Sequence, residues 1–523
     1  MADGVRVASR SGRAARPAVI SVYPDHVLDD DAAPLATLRR FLQEEVGGVG
    51  SALLHVLPPY VSDGDDGFAV VDHQAVHPRF GAWDDLSRLA EASGGLMLDL
   101  VLNHVSTAHP WFQSVLRGEA AHRGDFHLFS APRAIEWGTR VRTSAILQRF
   151  DTAADPVWAW CTYGRAQVDL HHGSPTVFAA MAATLLRLVE VGARVVRLDA
   201  IPHVWKRVPG GPHEPEARVL VRALRAVADL VDPSVRLLAE TDHRSGDRCY
   251  LGAELAQHDN HLSVPLLVFA AALVGDGGPL VEWVNASASD AHRHDGYTFL
   301  QTHDGVHLRP MDPPLDARTT RRVLERLERS GVWVSHADVR GEPRPYELNS
   351  SLNRIFSTEA GLDVERYLAA HALLFALPGT PSLYFPTLFG LPDAVCIEPS
   401  NPRAANRYRY RYGALRALLQ QPEHARILKS LLGLIRLRDE TPALREDGSC
   451  EARMVASHVL HLARGHRDQP LHVLVNLGVE RVAIPSPLRE WRDLLGGRQG
   501  RGDVSLAPAE AVWLVGPGTG GMT

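Results

Sequence analysis

Cysteine is scarce and lysine almost absent from this 523-residue sequence. The four cysteines, Cys161, Cys249, Cys396 and Cys450, lie far apart and form no Cys-x-x-Cys pair, which excludes a zinc ribbon, a thioredoxin-type motif and a dense disulfide framework. Lys206 and Lys429 are the only lysines, and neither follows a Gly-x-x-x-x-Gly loop, so no P-loop grips phosphate here. Long apolar runs are missing as well, none approaching the roughly 18 residues that a membrane-spanning helix needs. The segment 1–16 carries Arg6, Arg10, Arg13 and Arg16 without the apolar core of a signal peptide, and it reads as a disordered tail. Acidic and basic residues, 61 against 55, nearly balance at a formal charge of -6, so neither nucleic acid nor a membrane surface is the expected partner. The 26 histidines include no His-Glu-x-x-His pair, which argues against a zinc hydrolase. These absences point to a cytoplasmic protein acting on small molecules; monomer and homodimer both stay open.

What is present is alternation. From Pro17 onward, short β-branched apolar runs alternate with longer segments of helical period, the runs falling at 18–23, 52–57, 96–102, 194–198, 235–239, 261–266, 297–300 and 382–385. Eight such runs suggest an α/β protein built as a closed (β/α)8 TIM barrel over 17–445, although an open doubly wound sheet gives the same alternation. The rhythm breaks twice, marking an insertion after strand 3 at 107–169 and another after strand 7 at 305–351. Over 446–523, short runs punctuated by Gly and Pro indicate a small C-terminal β-domain.

In a parallel barrel the reacting groups gather at the C-terminal ends of the strands. Four runs end informatively there: Leu98-Asp99-Leu100-Val101-Leu102-Asn103-His104, Val196-Arg197-Leu198-Asp199, Leu238-Ala239-Glu240 and Thr302-His303-Asp304-Gly305. Three carboxylates on one rim suit glycoside chemistry with a nucleophile, an acid/base and a transition-state stabiliser. Asp199 is the candidate nucleophile, because Arg197 two positions earlier shares its side of the strand and can hold it ionised. Glu240 closes an apolar strand, where partial burial would raise its pKa for acid catalysis. Asp304, beside His303, is the candidate stabiliser. Taken singly, each could be a helix cap, a loop anchor or a structural histidine; their order and spacing carry the signal.

In these motifs the sequence resembles glycoside hydrolase family 13, the α-amylase superfamily, and within it the sucrose phosphorylase subfamily. The blocks His55-Val56-Leu57-Pro58-Pro59, Asp65-Asp66-Gly67-Phe68, Gln167-Val168-Asp169-Leu170 and Tyr346-Glu347-Leu348-Asn349 carry the subfamily likeness. The resemblance implies Asp199 as nucleophile, Glu240 as general acid/base and Asp304 as stabiliser. It further implies that Arg197, His104 and His303 contact the glucosyl unit, whose far hydroxyls Asp65 and Arg403 bind. Asn103 and Asp169 resemble positions that hold calcium in α-amylases, but the phosphorylases generally lack that ion, so neither a metal nor a cofactor is expected. His203 departs from the tyrosine usual in sucrose phosphorylases, and His307 stands where glycine is common.

The implied reaction cleaves sucrose or a related α-glucoside with phosphate through a covalent glucosyl-enzyme. Its partners are a small α-glucoside and phosphate, or a sugar or polyol acceptor. Arg140, Arg142, His307 and Arg309 are the candidate phosphate or acceptor contacts, since arginine offers two parallel donors to an anion. The alternatives are an α-glucosidase or transglucosidase, and, from another class, a barrel that only binds sugar.

Overall fold

The computed structural model describes residues 17–133, 135, 144–241, 255–256, 258–288, 296–308, 314–339, 342–393, 402–444, 449–465 and 469–517. The expected tail at 1–16 lies outside them. Eight strands close a parallel barrel: β1 (Val19–Val22), β2 (Leu53–Val56), β3 (Leu96–Val101), β4 (Ala193–Asp199), β5 (Arg236–Ala239), β6 (His258–Asn260), β7 (Gly296–Thr298) and β8 (Thr380–Tyr384). Neighbours follow chain order around the ring, and β1 closes it by pairing with both β2 and β8. This is a TIM barrel, and the open-sheet alternative is excluded.

The sixth strand corrects the sequence reading. The apolar run expected at 261–266 turns into the helix Val264–Val274, and the strand is the polar His258–Asn260 just before it. A short apolar run does not distinguish a buried helix from a strand; here Pro265 near the helix start and the continuation of apolar residues to Val274 favour the helix. Its residues from Val264 to Ala272 are buried all round, so no amphipathic period was available to reveal it.

The segment after β3 is less irregular than the sequence suggests. It holds the helix Pro110–Leu116, a small sheet of Leu128–Phe129, Leu147–Phe150 and Val157–Trp160, and a strand Gln167–Asp169 paired antiparallel with His104–Ser106. After β7 come the helix Ala317–Arg329 and a three-stranded sheet of Val306–His307, Val334–Val339 and Glu342–Leu348. Six antiparallel strands, β9 (Cys450–Ala456), β10 (Val459–Arg464), β11 (Leu471–Asn476), β12 (Val482–Asp493), β13 (Gln499–Leu506) and β14 (Ala511–Val515), form one C-terminal sheet in the order β9-β10-β11-β14-β12-β13. One face of this sheet, including Leu460, Val473 and Trp513, joins the main core, while Val459, Leu474 and Val512 pack in a separate cluster. No helix among the described residues is long and apolar enough to cross a membrane.

Inside the barrel, strand alternation builds layers. Val19, Leu53, Met97, Val195, Leu238 and Tyr297 form one buried apolar layer. Two residues further along their strands, Ser21, His55, Asp99 and Arg197 make a polar layer above it. Ser21 Oγ lies 3.1 Å from His55 Nδ1, and His55 Nε2 lies 2.8 Å from Asp99 Oδ2. Arg197 Nη1 donates to the other Asp99 oxygen. Asp99 and Arg197 are both buried, so each satisfies a charge that would otherwise be stranded. Burial alone would raise the Asp99 pKa, but Arg197 and His55 outweigh it and hold the carboxyl below the usual range. Removing one partner of such a pair costs about 3–5 kcal/mol. Asp99→Ala is therefore expected to lose that much unfolding free energy in urea titration; an unchanged midpoint would mean that Asp199 and Glu240 alone suffice to compensate Arg197.

Candidate active site

The polar layer continues upward to the rim. Asp199, the last residue of β4, follows Val195 and Arg197 at the same two-residue period, so its side chain faces the barrel axis. The next residue, Ala200, takes the left-handed conformation (φ 51°), and its N–H donates to Glu240 Oε2 at 2.8 Å. A non-glycine residue held there is strained, and the Glu240 contact is one interaction that holds it. Arg197 Nη1 lies 3.3 Å from Asp199 Oδ1, and its Nη2 pairs with Glu240 Oε1. Asp199 and Glu240 also interact directly through their side chains. One guanidinium thus gathers both carboxyls, an arrangement closer to the short-separation pair of a retaining glycosidase than to one with water between its carboxyls.

The expected pairing of Arg197 with Asp199 is present, but it does not decide the proton affinity. Burial and the neighbouring Glu240 push Asp199 well above the ordinary aspartate pKa, against the opposing pull of Arg197. Asp199 is the more buried member, its side chain 8% exposed against 31% for Glu240.

Asp304 is set the other way. It sits in a turn closed by Thr302 N–H to the Gly305 carbonyl (3.1 Å) and by the reverse bond (3.0 Å). Gly305 has φ +96°, and an added Cβ would fall 2.2 Å from the Leu348 carbonyl oxygen, so this turn needs glycine. Arg403 Nη1 and Arg407 Nη2 each reach Asp304 Oδ1 at 2.7 Å, and His303 Nε2 lies 3.4 Å from Oδ2. Burial would raise the Asp304 pKa; Arg403, His303, Arg407 and Arg197 together hold it well below the usual range. Asp199 and Asp304 are therefore electrostatically distinct, the first holding its proton more tightly than an ordinary aspartate and the second less tightly.

Arg407 extends the network to Asp65 Oδ1 (3.2 Å) and Asp66 Oδ2 (3.0 Å). Asp65 Oδ2 accepts from Gln167 Nε2 at 3.2 Å, and the same amide lies 3.1 Å from His104 Nε2. The guanidinium beside Asp65 is thus that of Arg407, whereas Arg403 pairs with Asp304 and with Glu347 at 2.8 Å. The sequence reading missed Arg407, because two arginines four residues apart in one loop carry no signal that ranks them. It also missed Glu347 as a charge partner, although its block was noted. Phe68 stacks on His303 with ring centroids 5.4 Å apart and planes 7° apart.

Asp199, Glu240, Asp304, Asp65, His104, Arg197, His303, Arg403 and His307 all line one cavity of ≈ 250 Å³ at this rim. Arg140, Arg142 and Arg309 lie outside the described residues. Asn103 and Asp169, resembling a calcium pair, do not fit a cation here: Lys206 Nζ lies 2.7 Å from Asn103 Oδ1 and 2.7 Å from Asp169 Oδ2. The ammonium is buried, and burial lowers its pKa against the pull of Asp169. It supplies the positive charge itself and ties the turn after β4 to the segment that follows β3.

Residues 46–262 match the family described as alpha amylase, catalytic domain. Glucosylglycerate phosphorylase of Allomeiothermus silvanus is 32% identical over 96% of this chain and 92% of that protein. The chain belongs to glycoside hydrolase family 13. Within that α-amylase superfamily it is an enzyme of the sucrose phosphorylase type. Glucosylglycerate phosphorylase of Escherichia coli is 28% identical over 95% of this chain and 91% of its own length. The crystal structure of sucrose 6F-phosphate phosphorylase from Thermoanaerobacter thermosaccharolyticum shares the fold, with a TM-score of 0.79 at 22% identity, covering 96% of this chain and all of that one.

Three outcomes follow from the charges of this family 13 site. The fold favours protonated Asp199, so the cost of ionising it is absent below the unfolded-state pKa of about 4 and complete above the raised folded value. Asp199→Asn should raise the thermal midpoint at about pH 8 and leave it unchanged at about pH 3, as read by calorimetry. Lys206→Met should strand Asp169 and cost about 3–5 kcal/mol in denaturant titration. EDTA should leave both stability and turnover of the parent enzyme unchanged.

Proposed function

We propose that this chain is a retaining α-glucoside phosphorylase that exchanges phosphate with a small hydroxy-acid aglycone, as in glucosylglycerate, in preference to sucrose. The observation that carries the reading is the Arg197 fork, which joins Asp199 and Glu240 in one contact. The donor preference is supported by the 32% identity to a glucosylglycerate phosphorylase across nearly the whole chain. In the first step ionised Asp199 attacks the anomeric carbon while Glu240 gives its proton to the leaving oxygen, forming a β-linked glucosyl-enzyme. Arg197 favours the anionic form of Asp199 once the shared proton sits on Glu240 and then departs with the aglycone. In the second step Glu240 accepts the proton of incoming phosphate, which attacks from the face that the aglycone left, so two inversions give net retention. Asp304, held ionised by Arg403 and Arg407, faces the positive charge that develops on the sugar ring.

The Asp65–Arg407–Asp304 network fills the far side of the cavity with charge pairs, which favours a single glucosyl unit over a chain passing through. Arg140, Arg142, His307 and Arg309 belong to the proposal as phosphate or acceptor contacts. A cytoplasmic setting belongs to it too, in keeping with the buried free thiols of Cys161 and Cys450.

The test mixes purified protein with α-glucose 1-phosphate and glycerate, glycerol or fructose, following phosphate release. Release should be fastest with glycerate and should fall by roughly 10⁴-fold in Asp199→Asn. Release that ignores the acceptor would replace phosphorolysis with hydrolysis. The pair must keep one proton for Glu240 to give up, so the raised Asp199 pKa places the alkaline limb of kcat/KM, with activity lost as pH rises through it.

A further inference from the structure

The guanidinium groups that line the described cavity are already committed. Arg197 serves Asp99, Asp199 and Glu240; Arg407 serves Asp65, Asp66 and Asp304; Arg403 serves Asp304 and Glu347. Unspent polar capacity lies elsewhere on the wall. His203 lines the cavity and is 8% exposed, and its Nδ1 is buried without a hydrogen-bond partner. No other atom among the described cavity-lining residues combines burial with that vacancy.

The ring is held in place from its own backbone. It closes the short turn Ile201–His203 that begins two residues past Asp199, and the ammonium of Lys206 bonds its carbonyl oxygen. Tyr163 meets the ring edge-on at 6.0 Å and also meets His104 at 5.1 Å, so Tyr163 stands between the glucosyl contacts and His203. Burial, with Lys206 nearby, pushes the imidazole down to about 3, so it acts as a neutral group. A buried acceptor lone pair is cheaper to leave unpaired than a buried N–H, which assigns the proton to Nε2.

We infer that His203 is a specificity-determining residue, donating from Nε2 to the carboxylate of the acid that is exchanged with phosphate. This deepens the phosphorylase reading and rests on it. A neutral donor suits this place: it recognises the acid's carboxylate without binding the Asp199–Glu240 pair, as a free guanidinium would.

The test measures glucosyl transfer to glycerate from α-glucose 1-phosphate and, separately, from p-nitrophenyl α-glucoside, in His203→Phe and His203→Gln. His203→Phe should raise the glycerate KM by about tenfold, the loss of one buried hydrogen bond. KM for each donor and the rate of glucosyl loss to water should stay within about twofold. His203→Gln, which keeps an N–H donor, should recover most of the glycerate affinity, and it reads the same contact if the phenylalanine variant misfolds. An unchanged glycerate KM in both variants overturns the assignment, and so does an equal loss of transfer to glycerate and to water. Transfer from p-nitrophenyl α-glucoside that depends on His203, with no phosphate release from α-glucose 1-phosphate, would uphold His203 and reject phosphorolysis.

Discussion

Arg197 is a cation sealed inside a barrel, and a buried guanidinium must be surrounded by acceptors or it destabilises the fold. Its partners, Asp99, Asp199 and Glu240, come from three adjacent strands, and His55 and Ser21 extend the chain of contacts to two more. The same contacts that make the charge tolerable also bring together the two carboxyls that the proposed reaction uses. Stability of the barrel interior and geometry of the chemistry are one constraint in this protein. The alternation of strand side chains makes this possible, because Val195, Arg197 and Asp199 rise in one column from apolar floor to reactive rim.

The proton inventory follows from unequal cation supply. The Asp199–Glu240 pair meets one guanidinium, whereas Asp304 meets two, Arg403 and Arg407, which it shares with Glu347 and with Asp65 and Asp66, and lies near His303. Burial therefore prevails at Asp199, while cations prevail at Asp304. A retaining mechanism needs that inequality, with one transferable proton on one side of the sugar and a persistent anion beside the developing positive charge.

Loops set around the rim are tied down by charges of their own. Lys206 binds the turn after β4 to Asn103 and Asp169, and Arg407 with Arg409 secures the Asp65-Asp66 turn, whose two residues both have positive φ (47° and 49°). Such left-handed aspartates persist only where their surroundings hold them. The wall proposed to meet the acceptor, where His203, His307 and Tyr346 line the cavity, is built from the segments after β4 and β7. Variation in those segments can change the aglycone while the interior column stays the same.

The sequence by itself determined the βα alternation, the carboxylates that close its strands and the family resemblance, because strand periodicity and the residues that close each strand are local and survive in linear order; closure of the barrel was decided by the tertiary structure. The sequence also placed His203 as a departure, without saying what the ring does. Tertiary structure alone decided the rest. The sixth strand was hidden because three polar residues, His258–Asn260, carry it while the apolar run beside them forms a helix. Arg407, not Arg403, met Asp65 because the choice depends on how one loop folds over another, across 342 positions of chain. The ammonium of Lys206 displaced any need for a cation at Asn103 and Asp169 because a residue distant in sequence reached both oxygens. Proton affinity at Asp199 was decided the same way, since burial and neighbouring charges are sums over everything that packs around a group, and no local pattern contains that sum.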